Sequence, residues 1–208
     1  RRMSTTVLLD ADGVIQRWSP DLWTTAAGLI DDPDKVRLFI RDLATAEAPC
    51  LRGDVDLRKA FAPVLSRWDN EDSMDRVLDM LTLIAPDREI LDRVQSLRAT
   101  GIRCCLASNQ QTWRADYMSR DLGYAALFDA EFYSCHLGSV KPDAAYFSAI
   151  VERLPDPPSQ MLFIDDRDAN VDGARACGLC GERYHVDAGI GALEGILRDF
   201  GVSTPDQG

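Results

Sequence analysis

Thr6-Val7-Leu8-Leu9-Asp10-Ala11-Asp12-Gly13 is the stretch on which the fold turns. Two β-branched residues and two leucines run together and then meet a pair of carboxylates. A short apolar run of this kind suits a strand buried on both faces, as in a parallel sheet. Gly13 allows the sharp turn that ends it.

The pattern recurs along the chain. Ile102 to Ala107 (IRCCLA) ends at Ser108, and Met161 to Ile164 (MLFI) ends at Asp165-Asp166. Ala130 to Ser134 and Glu182 to Val186 read as two further strands. Helical periodicity lies between them, over Arg88 to Ala99 before Gly101, Trp113 to Leu122, Ala144 to Leu154, and Ala169 to Cys177 before the stop residue Gly178. Strands alternating with helices predict an α/β protein with a doubly wound, Rossmann-like parallel sheet.

From about Trp18 to Ala85 the alternation lapses, and no buried strand is evident. Val36, Phe39, Ile40 and Leu43 fall at helical spacing, and the same periodicity runs through 56–68 and 74–84. Pro33, Pro49, Pro63 and Pro86 punctuate it. The expected organisation is a core of residues 1–17 and 86–208, with a small all-helical domain of 18–85 inserted after the first strand. From Val202 onward the polar tail is expected to fray.

The 208 residues suffice for such a core plus insertion. A net charge of −11 speaks against nucleic acid, because affinity for phosphate backbones rests on Lys and Arg. No apolar stretch is long enough to span a membrane. Arg1 and Arg2 precede a plausible start at Met3, and Asp10 and Asp12 break the apolar run too early for a signal peptide. Six cysteines in a chain of this length suit reduced thiols and a cytoplasmic setting. Cys177 and Cys180 form a C-x-x-C that reads best as small residues closing a helix. A zinc site would need a second ligand pair, for which Cys135-His136 is a weak candidate.

The polar residues that follow the strands decide the chemistry. In an open parallel sheet the C-terminal edge of the strands is where ligands bind, so Asp10, Ser108 and Asp165-Asp166 are expected in one crevice. Crowded carboxylates repel, and an all-oxygen set suits Mg²⁺. The two histidines, His136 and His185, lie outside these motifs, which argues against zinc hydrolysis and a phosphohistidine. Asp10 and Asp12, two apart, would share a face if the strand continued. One can then attack while the other moves a proton.

Leu8-Leu9-Asp10-Ala11-Asp12-Gly13-Val14-Ile15 resembles the first motif of the haloacid dehalogenase (HAD) superfamily. Ala107-Ser108-Asn109 resembles the second, and Val140-Lys141-Pro142-Asp143 the third. Phe163 to Asn170 followed by Gly173-Ala174 resembles the fourth. The order is right, and the likeness spans almost the whole chain. It implies that Asp10 forms an aspartyl-phosphate and that Asp12 acts as acid and then base. Ser108, Asn109 and Lys141 would bind the phosphoryl group, with Lys141 also neutralising the nucleophile. Mg²⁺ would sit on Asp10, the Asp12 carbonyl and Asp166, with Asp165 nearby and Asn170 supporting the loop.

The helical insertion resembles the type 1 cap of this family. Within it, Leu51-Arg52-Gly53-Asp54 resembles a loop that reaches the active site in related sugar-phosphate phosphatases, which would bring Arg52 to the substrate. Asp12 and Asp165-Asp166 argue against the dehalogenase branch, and no motif surrounds the cap lysines Lys35 and Lys59 as a phosphonatase would need. The nearest look is to the subgroup of sugar-phosphate phosphatases and epoxide hydrolase N-terminal domains. The expected activity is Mg²⁺-dependent hydrolysis of a small phosphorylated metabolite, a sugar phosphate being the narrower expectation, by a monomer or homodimer. The alternatives are a phosphomutase on the same core and a non-catalytic binding protein.

Overall fold

The computed structural model describes residues 5–202, so the start at Met3 and the tail after Val202 lie outside it. Val202 itself is buried against the core.

The chain opens with β1 (Thr6–Leu9), β2 (Gln16–Trp18) and four helices, α1 (Asp21–Ala27), α2 (Val36–Glu47), α3 (Leu57–Arg67) and α4 (Met74–Met80). Then come β3 (Ile84–Pro86), α5 (Arg88–Ala99), β4 (Arg103–Ser108), α6 (Thr112–Arg120) and α7 (Tyr124–Leu127). The remainder is β5 (Ala130–Tyr133), α8 (Ser134–Leu137), α9 (Ala144–Val151), β6 (Met161–Asp165), α10 (Asp168–Ala176), β7 (Cys180–Arg183) and α11 (Ile190–Asp199).

The strands β5-β4-β1-β6-β7 form one five-stranded sheet with every pairing parallel. β1 is central and buried on both faces. Val7 and Leu9 join one apolar cluster with Leu106 and Ile164, while Leu8 joins the opposite one with Phe163 and Phe147. That two-sided burial is the reason the strand reads as an uninterrupted apolar run.

Register positions the polar residues. Leu9 pairs with Leu106 on one side and Ile164 on the other, so Asp10, Ser108 and Asp165 emerge together at the C-terminal edge. The Asp10 N–H donates to the Ile164 carbonyl at 3.0 Å.

The helices between β2 and β3 enclose a separate apolar cluster that includes Phe39, Phe61, Leu65 and Leu78. Trp68 packs on that cluster, whereas Trp23 is exposed beneath the Arg37 guanidinium. Two local expectations need correction. The chain enters and leaves the helical region through an antiparallel ribbon, β2 with β3, which periodicity missed because three half-buried residues ending in Pro86 carry no period. The last strand is Cys180–Arg183, two residues earlier than expected. Cys180 pairs with Leu162 at this edge, where Glu182 and Arg183 face solvent and blur the signal. Cys177 caps α10 and Cys180 opens β7, and all six thiols are free.

Candidate active site

A cavity of about 180 Å³ at the C-terminal edge is lined by Asp10, Asp12, Ser108, Asn109, Lys141, Asp166, Arg167 and Asn170. Residues from four distant stretches therefore meet. Wider clefts exist, one of about 600 Å³ among the helices. Among the described residues, though, the one carboxylate group whose oxygens come within 4.8 Å of each other is Asp10, Asp165 and Asp166.

Lys141 lies at the centre of this charge. Its side chain is 1% exposed, and Nζ lies 2.8 Å from Asp10 Oδ1 and 2.6 Å from Asp165 Oδ2. It also donates to the Ala107 carbonyl at 2.8 Å. Burial would lower its pKa, but the two carboxylates outweigh that and raise it, so the ammonium is retained. Asn109 braces the lysine's backbone from both sides, accepting from Lys141 N at 2.9 Å and donating to Lys141 O at 3.0 Å.

The carboxylates are not equivalent. Burial raises Asp10 to about 7 against the pull of Lys141, with the Asp165 and Asp12 charges adding to the rise. Asp165, fully buried, accepts from Lys141, from the Arg167 N–H at 2.9 Å and from Asn170 Nδ2 at 3.0 and 3.1 Å. Asp166 keeps more exposure, and burial together with the Asp165 charge raises its pKa. For Asp12 burial also acts upward, but the Arg114 guanidinium and hydrogen bonds from Gln16 and Gln110 bring it to about 2.

Two glycines permit these close approaches. Gly13 has φ +82°, and a Cβ there would come 2.7 Å from Asp166 Oδ2. A Cβ on Gly173 would meet the Pro142 carbonyl at 2.6 Å, so this glycine lets α10 sit against the lysine loop.

β1 ends at Leu9, so strand alternation does not align Asp10 with Asp12. The turn at Gly13 nonetheless leaves both on the same cavity. Arg52 does not line that cavity. Its guanidinium pairs with Asp143 Oδ2 at 2.8 Å, two residues past Lys141. Cys135 and His136 contribute to no group of ligands within coordination reach among the described residues.

Sequence reading missed Gln16, Gln110 and Arg114, which surround Asp12. Arginine is ordinarily a surface residue, so Arg114 drew no notice. One signal was available. Arg114 occupies the inward stripe of α6 beside Ala115 and Met118, where an apolar side chain is expected.

The same fold occurs among known proteins. The family model for haloacid dehalogenase-like hydrolases matches residues 5–178. Bifunctional epoxide hydrolase 2 of Rattus norvegicus is 26% identical over 99 residues, 45% of this chain and 18% of that protein's length. Flavin mononucleotide hydrolase 1 of Arabidopsis thaliana is 27% identical over 177 residues, 85% of this chain and 60% of that one. In fold, a HAD family enzyme of Bacteroides thetaiotaomicron solved as a magnesium complex superposes with a TM-score of 0.76 at 15% identity, covering 92% of this chain and 98% of that one. With a match over most of its length, the chain belongs to the haloacid dehalogenase-like hydrolase family of enzymes.

Proposed function

We propose that this hydrolase is a phosphatase acting on a small phosphorylated metabolite through an aspartyl-phosphate on Asp10. The observation that carries the reading is the buried Lys141 ammonium between Asp10 and Asp165, beside Asp166 and Ser108, at one strand edge. The donor set is all oxygen and lacks His and Cys, which fits Mg²⁺. Asp10, the Asp12 carbonyl and Asp166 would hold the ion. Asp165, whose oxygens are already taken by Lys141, Asn170 and Arg167, would support from behind. Bound there, the ion neutralises the crowded carboxylates and polarises the phosphoryl oxygens. The magnesium complex of the Bacteroides enzyme and the flavin mononucleotide hydrolase activity named for the Arabidopsis relative support this assignment.

In the first step an Asp10 oxygen forms a bond to phosphorus and the bond to the leaving oxygen breaks. Asp12 relays a proton to that oxygen, the amide of Gln16 or Gln110 yielding one of its acceptor positions to do so. The substrate's own monoanion supplies the proton, since the second ionisation of a phosphate monoester lies at about 6. In the second step Asp12 takes a proton from water as the water attacks phosphorus and the Asp10–phosphorus bond breaks. Ser108 and the backbone after it cradle the phosphoryl oxygens, and Lys141 offsets their charge. Residues 18–85 act as the cap over this cavity, with Arg52 tying it to the lysine loop. Sugar phosphates remain the first substrates to try.

The test is phosphate release from a panel of phosphorylated metabolites with Mg²⁺, comparing wild type with Asp10→Asn and with EDTA. Release lost in both controls supports the reading. Release from no compound overturns hydrolysis, and phosphoryl movement within a substrate without free phosphate identifies a mutase.

A further inference from the structure

Asp12 has every acceptor position filled. Oδ1 accepts from Gln16 Nε2 at 2.8 Å and Arg114 Nη2 at 2.9 Å. Oδ2 accepts from Gln110 Nε2 at 3.0 Å and Arg114 Nη1 at 2.7 Å. A carboxylate has about four such positions, so a parallel arginine fork plus two amides fixes both its plane and its tilt.

Arg114 serves little else. It is 4% exposed. Its remaining hydrogen bond goes to Gln110 Oε1 at 3.0 Å, within the same network, and Nε finds no acceptor among the described residues. Burying a guanidinium is expensive unless a specific partner repays it, and here that partner is Asp12. The Trp18 ring covers the guanidinium, 4.1 Å from the Arg114 carbon to the ring centroid. Trp18 ends β2 and pairs with Ile84 of β3, so it stands where the chain enters the helical region. Glu47, the last residue of α2 in that region, faces the same guanidinium.

We propose that Arg114 is a positioning residue for Asp12, holding its carboxylate toward the phosphoryl site, and that Trp18 ties this setting to the junction between the helical region and the core. The proposal rests on the acid–base role given to Asp12 above. Lysine keeps the charge but cannot supply two parallel donors, so Arg114→Lys separates fork geometry from electrostatics.

The experiment uses p-nitrophenyl phosphate with Mg²⁺ and measures kcat and KM separately. Arg114→Lys lowers kcat by about 10- to 100-fold, the scale of a misplaced reacting group. KM and inhibition by inorganic phosphate stay within about twofold, because Asp10, Ser108 and Lys141 are untouched. Added guanidinium restores kcat of Arg114→Ala, and equimolar urea does not. Trp18→Leu lowers kcat several-fold without changing KM. A kcat of Arg114→Lys within about twofold of wild type overturns the proposal, as does an equal loss of phosphate inhibition. An unchanged Trp18→Leu overturns the tie to the junction. Crystal structures supply an arm independent of turnover. An Asp12 carboxylate that keeps its place in Arg114→Lys refutes positioning even if wild type releases no phosphate. Absence of release in wild type, by contrast, refutes the phosphatase reading.

Discussion

Asp10→Asn abolishes the proposed chemistry and is expected to make the metal-free protein more stable. Asp10 is 7% exposed, and its pKa rises from 3.8 to about 7 because burial disfavours the charged form more than Lys141 favours it. The folded protein thus holds this proton more tightly than the unfolded chain. Stability is unaffected below 3.8, drains as pH rises from there to about 7, and stays reduced above. At about 1.4 kcal/mol per tenfold, the full deficit is about 4 kcal/mol. Asparagine never ionises, and its side-chain oxygen can still accept from the Ala11 N–H, as Asp10 Oδ1 does at 2.8 Å. Lys141 keeps Asp165 and the Ala107 carbonyl. For a chain of this size each kcal/mol moves Tm by about 2–4 °C, so Asp10→Asn in EDTA at pH 8 should melt about 8–16 °C above wild type. At pH 5 less than half of that advantage should remain. Thermal unfolding by circular dichroism at the two pH values decides the matter. An advantage independent of pH, or none at pH 8, would show that Asp10 is not a strained buried anion.

Lys141→Met should destabilise the metal-free protein by about 3–5 kcal/mol, because it leaves Asp10 and Asp165 buried without their cation. Denaturant unfolding in EDTA measures this, and the loss should shrink when Asp10→Asn is combined with it. Gly173→Ala should cost stability and lower kcat, since the new methyl meets the Pro142 carbonyl and pushes on the loop carrying Lys141. Unchanged melting and turnover would refute that contact. Arg52→Ala should change global stability by less than about 1 kcal/mol, because its pair with Asp143 is 43% and 47% exposed. A larger loss in urea unfolding would mean that this contact holds the helical region to the core.

The sheet was legible in the chain because β1, β4 and β6 are buried on both faces and therefore read as plain apolar runs. The polar residues at their ends, Asp10 just past β1 and Ser108 and Asp165 closing β4 and β6, were legible for the related reason that a parallel sheet collects its ligands at one edge. The β2–β3 ribbon was not, because three residues per strand are too few for a period to show. Arg114 was not, because an arginine on an apolar stripe looks like noise until its partner is known.

Sequence alone determined the alternation of strands and helices, the run of helices between β2 and β3 and the identity of the polar strand ends, all of which depend on local pattern. Only the tertiary structure decided how the carboxylates divide. Asp10 is raised by burial, Asp165 is enclosed by Lys141 and Asn170, and Asp12 is lowered by an arginine 102 residues away. Identical side chains differ in charge and reach through desolvation and through partners that folding brings within 3 Å, and neither is written in the residues beside them.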